Sequence, residues 1–147
     1  RWPGHTKPGS VAEHLVMNLD FAETFLDIAG LKIPTDMHGR SMKQILEGKP
    51  PADWRKDVYY HYYEFPQPHH VEPHYGVRSE RYKLIYFNRI DVWELFDLEK
   101  DPKELKSVYG SEDYAKVQKE LETELARLRK ELKVPDPDPE ETMRRKK

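Results

Sequence analysis

A chain of 147 residues has room for one domain or for two small pieces of a larger one. Only 37% of its residues are apolar and 35% are charged, and the mean hydropathy is −0.95, so a large self-contained core is not assured. A net charge of −2 gives no drive toward nucleic acid or an anionic membrane, no apolar run approaches a membrane span of roughly 20 residues, and the absence of cysteine excludes a thiol nucleophile or a zinc–thiolate centre.

Arg1-Trp2-Pro3-Gly4 reads as a strand running into a turn, and Lys7-Pro8-Gly9-Ser10 as a second turn. Asp20 and Glu23 then form a D-x-x-E capping box. Phe21, Ala22, Phe25, Leu26, Ile28 and Ala29 follow at helical spacing, and Gly30 stands where a glycine ends a helix. The pattern predicts a core helix over 20–30, then a loop, then a short helix over 41–47 that Gly48 and Pro50-Pro51 end. Composition shifts after that. Residues 57–63 favour a strand, while 64–73 carry three prolines and read as an irregular loop. Residues 75–78 and 82–87 read as paired strands, with Tyr82, Leu84 and Tyr86 on one face and Lys83, Ile85 and Phe87 on the other. A turn at 88–91 leads to a strand over 92–98, which Asp101-Pro102 follows. The last element is a long helix over 111–133 with Ser111 as N-cap and Tyr114, Val117, Leu121, Leu125, Leu128 and Leu132 as its apolar stripe. Residues 135–147 are charged and apolar-poor and are expected to be disordered.

Chemistry-bearing side chains crowd into 59–87, which holds four of the seven histidines. His61, Glu64, His69, His70, Glu72 and His74 have the donor types of a zinc or nickel site, but no ligand pair falls on a recognisable helix. The same stretch also suits a sugar, which needs directional donors and acceptors beside flat apolar surfaces.

Three segments, taken in order, resemble the sulfatase family of the alkaline-phosphatase-like superfamily. They are RWPG with NLDFAETFLDIAGL and HGRSM, then HYGVRSERYKLIYF, then WELFDLEKDPKEL. Glu23 stands where the family usually has proline, and Ser107 where its closing signature usually has asparagine. The H-Y-Y-E-x-P and H-Y-G-V-R patterns are most similar to N-acetylglucosamine-6-sulfatases and heparan-sulfate sulfatases.

That resemblance implies an α+β chain, the C-terminal portion of an alkaline-phosphatase-like α/β sulfatase. Residues 1–52 would close the large α/β domain, and 53–134 would form a subdomain of about four antiparallel strands packed against the long C-terminal helix. The apolar face of Phe21, Phe25 and Ile28 would then find no cover within the chain itself. The family's formylglycine nucleophile and calcium ion lie upstream, so no catalytic residue and no metal ligand is expected here. None of the serines (Ser10, Ser41, Ser79, Ser107, Ser111) sits in S-x-P-x-R. The implied partners are the N-terminal catalytic domain and a sulfated carbohydrate, with no nucleic acid and no membrane. A periplasmic, secreted or lysosomal location is implied as well. Substrate-binding candidates are His74, then His70 and Arg78, then His69. His61 reads as a packing residue, and Arg78 has Glu80 and Glu94 as alternative partners. A carbohydrate-binding module, a histidine metal site and a phosphodiester or phosphonate hydrolase of the same superfamily remain open beside the sulfatase reading.

Overall fold

The computed structural model describes residues 2–66 and 69–135. Backbone proximity divides the chain into two units, Arg1–Lys56 and Asp57–Lys147.

The first unit contains α1 (Asp20–Ile28) and α2 (Lys43–Leu46) and, among its described residues, no strand. The expected opening strand is instead a turn, in which the N–H groups of His5 and Thr6 donate to the Trp2 carbonyl at 3.2 and 3.0 Å. The periodicity of α1 is real, but its buried face is the polar one. Asp20, Glu23 and Thr24 are buried, whereas Phe21 is 53% and Phe25 65% exposed, so α1 is not the core helix the pattern predicts.

The D-x-x-E capping box does not form either. Leu19 is the N-cap and makes no side-chain cap bond. Asp20 instead accepts from the Met17 and Arg40 N–H groups at 2.7 and 2.9 Å and from both terminal nitrogens of Arg55 at 2.5 and 2.6 Å. Glu23 accepts from the Gly39 N–H at 2.7 Å, and Thr24 Oγ1 accepts from the Met42 N–H at 2.8 Å. Burying a carboxylate is costly unless donors meet it; Met17, the 39–42 loop and Arg55 supply them to both oxygens of Asp20 and to Oε1 of Glu23, while Glu23 Oε2 is left without a partner among the described residues. Burial pushes the Asp20 carboxyl up, but Arg55 and the two backbone donors outweigh it and hold it below the usual range. Glu23, the departure from the family pattern, thus anchors the loop. A Cβ at Gly39 would lie 2.5 Å from the Glu23 carboxylate, so this approach needs glycine. Below the loop, Met42, Ile45 and Trp54 make a small apolar cluster, and Trp54 Nε1 donates to the Leu15 carbonyl at 2.9 Å.

The second unit is a four-stranded antiparallel meander in the order β1 (Asp57–Tyr62), β2 (His74–Ser79), β3 (Tyr82–Phe87) and β4 (Val92–Asp97). Registers such as Tyr59↔Val77, Val77↔Leu84 and Leu84↔Leu95 align one apolar row across all four strands. Helix α3 (Ala115–Glu131) covers that row with Leu121, Leu125 and Leu128. Full burial of each leucine is worth roughly 1.5–3 kcal/mol. The face assignment expected for β3 follows from this register.

Entry into α3 differs from expectation. A 3-10 turn over Glu112–Tyr114 precedes it, and Ser111 makes no side-chain cap bond. Gln118 Oε1 reaches back instead to accept from the Gly110 N–H at 2.9 Å. The β4–α3 connection is held by Ser107, whose Oγ accepts from the Leu95 N–H at 3.1 Å and the Tyr109 N–H at 3.2 Å. A hydroxyl oxygen is therefore sufficient where the family signature usually carries asparagine. The expected tail over 135–147 lies, beyond Pro135, outside the described residues.

Candidate functional site

Side chains alternate across a pleated strand. The row covered by α3 therefore leaves an opposite face made of Val58, Tyr60 and Tyr62 from β1, His74, Gly76 and Arg78 from β2, and Lys83, Ile85 and Phe87 from β3. Strand β2 begins at His74 rather than at Tyr75, so His74 belongs to the sheet itself.

His74 is half-buried among aromatic rings: Tyr62 stacks at 5.3 Å, Phe87 lies at 5.1 Å and Tyr60 meets it edge-on at 5.9 Å. Its Nδ1–H donates to the Glu72 carbonyl at 2.8 Å. That bond places a proton on Nδ1 and leaves Nε2 as the ring nitrogen without a hydrogen-bond partner among the described residues. The loop carrying Glu72 is itself tied down. Arg89, from the β3–β4 turn, pairs with the Glu72 carboxylate at 3.4 Å and lies over the Phe65 ring at 3.9 Å.

Tyr60 is packed across Gly76, where an added Cβ would meet its Oη at 2.7 Å. The Tyr60 Oη is buried and makes no hydrogen bond, as is the Tyr62 Oη. Burial, with the Glu104 and Glu94 carboxylates adding to it, raises the Tyr60 phenol well above its ordinary value, so it stays protonated and available as a donor. Arg78 stands on the same face of the same strand as His74. Its Nη1 is buried without a hydrogen bond, and among the described residues it pairs with neither Glu80 nor Glu94. Nearby in register, Lys83 is already engaged, with Nζ 2.5 Å from Glu104.

His69 and His70 are exposed in the β1–β2 loop, where the His70 N–H donates to the Pro66 carbonyl at 2.9 Å and its φ is 54°. His61 lies on the other face, with Nδ1 3.0 Å from the Tyr59 hydroxyl and its ring stacked on Tyr63 at 3.8 Å. The sheet thus separates His61 from His74. Among the described residues no group of three or more histidines and carboxylates could hold a metal ion, so the histidine cluster does not fit zinc or nickel. Tyr60 and Tyr62, absent from the sequence-based candidates, are polar residues of this face that the sequence analysis did not single out. The signal was the two-residue alternation that sets them out of phase with His61. This face thus carries an imidazole, two buried phenol oxygens without hydrogen-bond partners among the described residues, and a guanidinium, a group suited to an anion.

A four-stranded antiparallel sheet backed by one long helix, preceded by a helix that grips a G-R-S loop, defines the C-terminal part of a sulfatase of alkaline-phosphatase-like fold. A model of the N-sulphoglucosamine sulphohydrolase C-terminal family matches residues 1–131, and the chain belongs to this family. It is 50% identical over 146 residues to an N-acetylglucosamine-6-O-sulfatase of Bacteroides thetaiotaomicron, covering 97% of this chain and 26% of that protein. A structure solved in complex with its substrate D-glucosamine-2-N,6-O-disulfate superposes with a TM-score of 0.90 at 48% identity, covering 95% of this chain and 29% of that one. A phosphonate monoester hydrolase from Silicibacter pomeroyi superposes with a TM-score of 0.76 at 26% identity, covering 89% of this chain and 28% of that one. The chain therefore spans between a quarter and a third of the length of these relatives.

Proposed function

We propose that these residues form the substrate-facing C-terminal part of a sulfatase acting on a glycosaminoglycan-type sugar such as 6-sulfated N-acetylglucosamine. The observation that carries the reading is the pairing, on one face of β2, of a tautomer-fixed His74 with an Arg78 whose buried donor lacks an acceptor. His74 Nε2 accepts a hydrogen bond from a sugar hydroxyl, and Arg78 receives a sulfate or carboxylate of the substrate. His70 and His69 line the rim. The names of the relatives at 48–50% identity support the choice of sugar.

Bond cleavage belongs to residues outside this chain. The chain has no cysteine and no S-x-P-x-R serine, so we assign the family's formylglycine nucleophile and calcium ion to an N-terminal catalytic domain. Residues 1–52 then belong with that domain, and the exposed Phe21 and Phe25 are where it packs. Residues 53–134 form the C-terminal subdomain.

Two measurements test the reading. The 147-residue chain alone turns over no 4-nitrophenyl sulfate; turnover would contradict it. In an intact sulfatase carrying this chain, Arg78→Gln raises KM for the 6-sulfated sugar about tenfold with little change in kcat. An unchanged KM would remove Arg78 from the pocket. The phosphonate hydrolase likeness favours a second reading, phosphonate ester hydrolysis on the same scaffold. Faster turnover of a phenyl phosphonate monoester than of the sulfate ester by the intact enzyme would select it.

A further inference from the structure

The helix-covered side of the sheet carries an aromatic and cationic site that the His74 face does not use. Tyr75, Tyr86 and Trp93 share one register row across β2, β3 and β4. Their rings lie 5.4 and 4.3 Å apart, and Tyr109 continues the row 5.7 Å from Trp93. Arg129, in the last turn of α3, lies over the Tyr75 ring at 3.9 Å. Between the row and the end of α3 is a groove of about 570 Å³ lined by Tyr75, Trp93, Leu125, Arg129, Lys130 and Lys133.

Among the described residues, charge in this groove is unbalanced. Elsewhere on α3, Lys116 pairs with Glu120 at 3.8 Å and Arg127 with Glu124 at 2.6 Å. Arg129, Lys130 and Lys133 have no carboxylate partner among the described residues. The carboxylate that lines the groove, Glu122, already accepts from the Tyr109 hydroxyl at 3.0 Å and Gln118 Nε2 at 2.9 Å. The helix dipole accounts for cations at this end, and the Tyr75 ring accounts for the stacked guanidinium. Neither accounts for Arg129 Nη1, which is buried without an acceptor.

We propose that this groove is a second saccharide site, which takes an anionic residue of a sulfated polysaccharide. Arg129 and Lys133 receive its sulfate or carboxylate oxygens, and Trp93 meets its C–H surface. The demand for an oxyanion beside an apolar surface comes from the groove itself. The choice of a sulfated saccharide rests on the proposed sulfatase reading. Because the groove and His74 lie on opposite faces of the sheet, a polymer held here is tethered rather than positioned for reaction, which raises its local concentration.

The test is an NMR titration of the full 147-residue chain, ¹⁵N-labelled, with a heparin tetrasaccharide, with unsulfated N-acetylchitotetraose and with inorganic sulfate. The tetrasaccharide saturably shifts the Trp93 indole N–H and the Leu125 and Ala126 amides, and the other two do not. Arg129→Gln weakens this binding about tenfold. Lys133→Gln, at an exposed side chain that leaves the core intact, weakens it severalfold. His74→Ala leaves it unchanged. The proposal is overturned if the Trp93 and Leu125 signals stay still, if inorganic sulfate reproduces their shifts, or if neither variant weakens binding. Shifts confined to His74 and Arg78 would overturn it too, while supporting saccharide binding on the His74 face.

Discussion

Arg81 holds Asp97 through two parallel hydrogen bonds, Nε to Oδ1 at 2.9 Å and Nη2 to Oδ2 at 2.7 Å, and Tyr114 donates to the same carboxylate at 3.2 Å. The Arg81 bonds take the Asp97 carboxyl down to about 2, against the upward push of burial and with help from Tyr114. An unfolded aspartate titrates near 3.9. The folded state therefore binds fewer protons, and the stabilisation is fully present above about pH 4 and lost as pH falls through about 2. Asp97→Asn is expected to cost about 1–3 kcal/mol at neutral pH and to flatten the decline in unfolding free energy between those limits. Urea unfolding across that pH range checks this, and an unaltered slope would contradict it. At this scale the sequence was uneven. The family resemblance put His74 first among the candidates, and His61, read as a packing residue, is indeed packed on Tyr59 and Tyr63. The partners of His74 were not legible, because Phe87 and Tyr60 reach it only through strand register, and Glu72 only through the shape of a proline-rich loop.

Strand β2 shows how one small residue shapes an element. A Cβ at Gly76 would lie 2.2 Å from the Leu84 carbonyl oxygen and 2.9 Å from Tyr60 Cζ. The β2–β3 pairing and the seat of Tyr60 both need that space. Gly76→Ala is expected to lower the stability of the chain by about 1–3 kcal/mol in urea unfolding, as overpacking does. Stability equal to wild type would show that Tyr60 does not sit as described. For whole elements the sequence served best where a stripe meets its cover within the same unit, as the α3 leucines do on Val77, Leu84 and Leu95. It served worst at α1. Periodicity showed that Phe21 and Phe25 share a face, but which face is buried was decided by Gly39, Met42 and Arg55, 16 to 35 residues away. The same remote donors turned an apparent capping box into buried anchors.

Over the whole molecule, sequence motifs were enough for family and fold, because three segments in order carried the likeness and the family match spans residues 1–131. The proposed division of labour has these residues select the sugar and an N-terminal catalytic domain break the sulfate ester. The most direct measurement is kcat/KM of an intact sulfatase carrying this chain, with 6-sulfated N-acetylglucosamine and with 4-nitrophenyl sulfate, for wild type, His74→Ala and His61→Ala. His74→Ala should lower kcat/KM for the sugar by about 10–100-fold while leaving the aryl sulfate nearly unchanged, and His61→Ala should lower neither in the folded enzyme. Equal losses on both substrates for His74→Ala, or no loss on the sugar, would contradict the claim.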